Sequence, residues 1–105
     1  MSTVLDRLQA WYSRQCDGEW EHHDGLVIGT LDNPGWQVRI SIAHTYLSET
    51  PFERVSYGVG ADADASGDEW LLCRREGPEF AGYGGPAKLG EILGIFLDWA
   101  EQHER

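Results

Sequence analysis

LVIGTLDNPGWQVRISIAH, Leu26 to His44, holds two β-type runs on either side of one turn. Leu26 to Leu31 and Trp36 to His44 read as strands, and Asp32 to Gly35 supplies the Pro and Gly that fix turn dihedrals. In the second run Trp36, Val38, Ile40 and Ile42 alternate with Gln37, Arg39, Ser41 and Ala43. A period of two marks a sheet with one buried face, and that face needs a layer of helix over it.

The flanks supply the helices. From Thr3 to about Arg14 the residues Val4, Leu5, Leu8, Trp11 and Tyr12 recur at helical spacing, with Thr3 as N-cap. Near the other end Leu89, Ile92, Leu93, Phe96, Leu97, Trp99 and Ala100 form a wide apolar stripe. Pro86 is read as the opening residue of that helix. Between hairpin and helix, Phe52 to Val59 reads as a weaker third strand, Glu69 to Arg74 as a fourth and Glu79 to Tyr83 as a short fifth. GADADASGD, between the third and fourth, reads as a polar loop. The expectation is one α+β domain over residues 1–105: an antiparallel sheet of four to five strands, with an N-terminal and a C-terminal helix packed on one face.

Charge narrows the function. The chain has 105 residues, 8 Lys plus Arg against 18 Asp plus Glu, and a net charge of −10. Such a field repels phosphate backbones and anionic lipid, so nucleic acid and membrane are excluded as partners and a basic protein is favoured. The acids are unevenly placed. No Lys or Arg falls between Arg14 and Arg39, where Asp17, Glu19, Glu21, Asp24 and Asp32 lie; a second gap, Val55 to Cys73, carries Asp62, Asp64, Asp68 and Glu69. Asp6 and Arg7 interrupt any secretory signal, and no run is long enough for a membrane helix, so a cytoplasmic location is expected. Cys16 and Cys73 are read as free thiols.

CDGEWEHH, Cys16 to His23, concentrates one thiol, three carboxylates and two imidazoles. A zinc reading fails on spacing: five residues separate Cys16 from His22, which matches no closed-site pattern. An extended chain would also turn His22 and His23 to opposite faces. A calcium reading finds Asp62, Asp64, Ser66 and Gly67 at EF-hand positions, but Cys73 stands where the bidentate Glu belongs. A small metal-binding module, with zinc or calcium held by Cys16, His22 and the Asp62 to Asp68 loop, or a metal-dependent enzyme is therefore the alternative reading; no cofactor is expected. Cys16 with His22 or His23 has nucleophile chemistry's residue types without an oxyanion array or a deep cleft. GYGGP, Gly82 to Pro86, lacks the lysine and hydroxyl of a phosphate loop and reads as a tight strand-to-helix turn. The remaining interpretation of CDGEWEHH is the joint between helix one and strand one. Asp17 and Gly18 make the turn, and Trp20 is expected partly exposed, as an anchor ringed by carboxylates or else folded back onto Trp11.

WYSRQCDGEWEHHDGLVIGTLDNPGW, with GYGGPAKLGEILGIF near the C-terminus, resembles the immunity protein 53 family of bacterial polymorphic-toxin systems. The family's motif falls on Trp11, Tyr12, Cys16, Asp17, Gly18, Trp20, Glu21 and His22, then on Leu31, Asp32, Asn33, Pro34, Gly35 and Trp36. The resemblance implies a protein that binds and neutralises a cognate toxin, with no catalytic activity to transfer. With the charge, it points to a basic toxin, such as a nuclease, and to Asp17, Glu19, Trp20, Glu21, His22, Asp24, Asp32, Asp62, Asp64, Asp68 and Glu69 as partner-binding residues.

Overall fold

The computed structural model describes residues 3–59 and 69–104. Helix α1 (Val4–Gln15) and a single helical turn α2 (Trp20–His23) precede strands β1 (Leu26–Leu31), β2 (Gly35–Ser41), β3 (Val55–Tyr57), β4 (Leu71–Glu76) and β5 (Glu79–Gly84); α3 (Leu89–Gln102) follows. The strands form one sheet in the order β1-β2-β5-β4-β3, antiparallel at every junction. This is the expected α+β architecture with five strands.

Helix α1 starts where Thr3 and Asp6 form a reciprocal capping box, the Thr3 hydroxyl accepting from the Asp6 N–H at 3.0 Å and the Asp6 carboxylate from the Thr3 N–H at 3.2 Å. Its buried residues, Leu8 and Trp11, share one core with Val38, Ile40 and Ile42, with Phe80, Leu71 and Cys73, and with Ile92, Leu93, Phe96 and Leu97 of α3. Helix α3 lies across β2, β5 and β4, and α1 packs against α3. Arg7 ties the helices together through Asp98 at 2.8 Å and Glu101 at 2.9 Å, and Arg14 reaches Glu104 at 2.8 Å. These pairs are largely exposed, so they orient more than they stabilise. A second link joins the helices: the Trp11 indole N–H of α1 donates to the Tyr46 hydroxyl, which donates in turn to the Ala100 carbonyl of α3.

Several elements differ from their sequence reading. Pro86 does not open α3: it sits in a turn closed by the Lys88 N–H on the Gly85 carbonyl, and helical geometry begins at Leu89 after the N-cap Lys88. The third strand shrinks to three residues, because Phe52 leaves the sheet to pack edge-on against Phe80 and Trp99 at 5.3 and 5.0 Å. Strand β4 runs from Leu71 to Glu76, later than expected, and Gly77 at φ +60° makes the tight turn into β5. The glycines of GYGG belong mostly to β5 at the centre of the sheet, where Gly82 stands between Val38 and Cys73 and beneath Ile92. The GADADASGD loop lies outside the described residues.

Candidate partner-binding site

The joint after α1 is built by its own acids. Cys16 ends the helix in extended geometry with its thiol on the Tyr12 carbonyl at 3.3 Å, and Gly18 takes φ +98°, a conformation that favours glycine. One Asp17 oxygen accepts the N–H groups of Glu19 and Trp20 at 2.9 and 3.0 Å. The Glu21 carboxylate reaches back to accept those of Asp17 and Gly18, both at 2.9 Å. Backbone donors that would otherwise be orphaned at a helix end and a turn are thus satisfied by side chains. The segment from Trp20 to His23 is helical and not extended, closed by the Asp24 N–H on the Trp20 carbonyl.

Trp20 corrects the expectation of exposure. It is 4% exposed and packs edge-on against Trp11 at 5.9 Å and Tyr12 at 5.8 Å, beneath the turn that its neighbours form. The end of α1 reaches the core at Trp11, and an indole two positions past Gly18 gains more from that apolar surface than from water. The sequence reading in which Trp20 folds back onto Trp11 is the one observed.

Asp24 closes the site by pairing its carboxylate with His44 Nδ1 at 3.0 Å. The β1–β2 register, which pairs Leu26 with Ile40, brings the two ends together. Asp17, Glu19, Trp20, His23, Asp24 and His44 line a cavity of about 260 Å³. His23 and His44 were missed as site residues; the only sequence signal for His44 was its place at the end of the second run. Glu19, His22 and His23 are exposed. Asp32 is also exposed, in the turn at the far end of β1, about 20 Å away at 3.3 Å per strand residue. Glu69 precedes β4 on the same side of the sheet as Asp32 and pairs with Lys88 at 2.7 Å. Asp62, Asp64 and Asp68 lie outside the described residues.

Among the described residues no carboxylate from Asp17 to Asp32 pairs with a Lys or Arg. Most of the described cations are occupied elsewhere. Arg7 and Arg14 serve α3. Arg75 donates to the carbonyls of Ser48 and Thr50, and Arg39 binds Glu79 at 3.0 Å and the Tyr83 hydroxyl at 2.9 Å. With Arg74 on Glu76, that last group makes the solvent face of the sheet a self-compensated network. Both cysteines are free, and burial pushes the Cys73 thiol up to about 12. No group of three or more His, Cys, Asp or Glu is placed to hold a metal ion among the described residues. No described helix is long and apolar enough to cross a membrane.

The backbone bonds from Trp20 and Glu19 hold the Asp17 carboxyl below its usual range. Glu21 is lowered by its own N–H and by those of Asp17 and Gly18. A carboxylate lowered in the folded state contributes stability above its unfolded pKa of about 4, lost as pH falls through the lower folded value. Acid titration is therefore expected to loosen this turn below about pH 4. Asp17→Asn with Glu21→Gln should flatten the stability profile there; the wild-type slope persisting in the double variant would refute the assignment.

The fold and this end of it define a class: a small acidic α+β domain whose distinguishing feature is uncompensated carboxylate surface. The family model described as Immunity protein 53 matches residues 5–101, and the chain belongs to that family. Membership implies an immunity function and a cognate toxin as partner. No curated protein and no solved structure matches the chain.

Proposed function

We propose that this protein neutralises its toxin by stoichiometric, non-covalent binding in the cytoplasm, without catalytic turnover. The toxin is a basic protein, of the kind a nucleic-acid-cleaving cleft provides, and the Asp17 to Asp32 segment meets it. The observation that carries this reading is the absence of any Lys or Arg partner for the described carboxylates of that segment, in a protein whose other described acids are extensively paired. Unpaired surface charge of one sign steers an oppositely charged partner and sets its approach.

The roles within the segment are unequal. Glu19, His22 and Asp32 face the toxin, and Asp24 presents one side of the cavity. Asp17 and Glu21 act mainly by holding the turn, and Trp20 supports it from below. Asp62, Asp64 and Asp68, which precede Glu69 in the sequence, are proposed to add to the same negative charge.

Glu19→Lys combined with Asp32→Lys tests the surface, because neither side chain holds the turn. The pair of changes is expected to slow association with the toxin by about tenfold or more at low ionic strength, with dissociation little altered. Thermal unfolding should stay within a few degrees of wild type. An association rate indifferent to both substitutions and to salt would remove the acidic surface from the mechanism.

A further inference from the structure

Strand β1 ends the sheet, and among the described residues no strand lies beyond it. Its composition is unusual for an edge. Leu-Val-Ile-Gly-Thr-Leu contains no charged residue and no proline, the devices that normally keep an edge from pairing, and Val27 and Ile28 are 63% and 37% exposed. The register shows which backbone groups are open. The Ser41 N–H bonds to the Gly25 carbonyl, so Gly25 and Ser41 form a hydrogen-bonded pair. Such pairs alternate along an antiparallel ladder, which assigns Val27, Gly29 and Leu31 to the bonds with β2. The N–H and C=O groups of Leu26, Ile28 and Thr30 face the open edge.

A groove of about 370 Å³ lies beside this edge, lined by Leu8, Gln9 and Tyr12 of α1 and by Leu26. A strand laid along β1 would direct alternate side chains towards it, the combination by which added strands gain both affinity and selectivity. Charge selects the occupant. The apolar strand is bracketed by Asp24, with Glu19 and Asp17 behind it, and by Asp32 at the other end. A second copy pairing antiparallel through β1 would set Asp24 against Asp32 at both ends, like charge against like.

We propose that the open edge of β1 receives an extended segment of the toxin, apolar in its centre and basic at both ends, which adds a sixth strand to the sheet. This rests on the toxin-binding reading above and supplies its docking mode. The bracketing acids guide the segment, and the ladder from Leu26 to Thr30 with the α1–β1 groove holds it.

The test is amide hydrogen exchange on the full chain, alone and with the toxin domain encoded beside its gene. Exchange at Ile28 and Thr30 is expected to slow by about tenfold or more in the complex, because ladder amides open only with the bound strand. Thr30→Pro removes one outward N–H at an exposed edge position and is expected to weaken binding about tenfold or more, whereas Thr30→Val, which keeps the N–H, should bind as wild type. If Thr30→Pro fails to fold, the wild-type exchange pattern decides alone. Toxin bound with exchange unchanged at Ile28 and Thr30 overturns the edge docking and leaves toxin binding standing. Failure of the wild-type protein to bind the toxin overturns both. A dimer of the free protein with these amides already protected overturns the choice of occupant.

Discussion

Trp11→Ala is expected to lower the stability of the protein by about 3–5 kcal/mol, the range for removing a large aromatic side chain from a core. Trp11 is fully buried, and its ring meets Phe96 at 4.9 Å and Trp20 at 5.9 Å, so one side chain joins α1, α3 and the acidic turn. Its indole N–H is also the donor to Tyr46, 3.0 Å away, whose own hydroxyl holds the Ala100 carbonyl. Truncation would open a cavity at the meeting point of three elements and leave that part-buried relay without its first donor. Since domains of this size are stable by only about 5–15 kcal/mol, the variant should unfold at much lower denaturant or not accumulate. Trp11→Phe keeps most of the apolar contact and loses the hydrogen bond, for a smaller loss of about 1 kcal/mol or somewhat more. Chemical denaturation of both variants distinguishes the contributions. A loss below about 1 kcal/mol for Trp11→Ala would mean that Trp11 is not the junction described.

The second large effect is expected from Gly82→Val. Gly82 lies on the inner face of the central strand β5, opposite Val38 on one side and Cys73 on the other. Even a Cβ at this position would overlap Ile92 Cγ2 and crowd Phe80 Cε2 at 3.3 Å, with Cys73 Sγ in ordinary contact at 3.5 Å. The obstructing methyl is on the β-branched Cβ of Ile92, which has one strongly preferred χ1 rotamer in a helix, so it gives way only through an unfavourable rotamer or a shift of α3. Overpacking of this kind costs about 1–3 kcal/mol, and the position beneath a packed helix places the expected loss at the upper end. Gly94 in α3, whose surroundings are open, is the control: alanine there should be neutral or slightly stabilising, since it favours the helix over the unfolded chain. Thermal unfolding of Gly82→Val near the wild-type temperature would show that α3 is not seated as closely as this geometry requires.

These two positions also mark how much could be read without the structure. Trp11 was legible, because its spacing from Leu8 and Val4 puts it on the apolar stripe of a helix. The hairpin was legible for a similar reason: the alternation from Trp36 to Ile42 and the DNPG turn each depend on a few neighbouring residues. Gly82 was read two ways, within a short strand from Glu79 to Tyr83 and as the start of a strand-to-helix turn, because a glycine in a central strand and one in a tight turn look alike until the helix above it is placed; the strand is the one observed. Pro86 was misread, its compatibility with a first helical residue being equally compatible with the turn just before. In the acidic joint, the residue types were plain but their division of labour was not. Asp17 and Glu21 bind backbone amides, Glu19 is left free, and Trp20 is covered; that outcome depends on where the end of α1 meets the core.

The amino-acid sequence by itself determined the α+β class, the two amphipathic helices, the hairpin and the uneven distribution of charge, and its motifs pointed to the family. All of these are carried by periodicity, turn chemistry and composition, which act over a few residues or over none. Only the tertiary structure decided that β5 is central and β1 lies at an open edge, that His44 meets Asp24, and which carboxylates remain without a Lys or Arg. Burial and the pairing of charges depend on residues distant in the chain, and their positions are set only when the helices and the sheet close on one core.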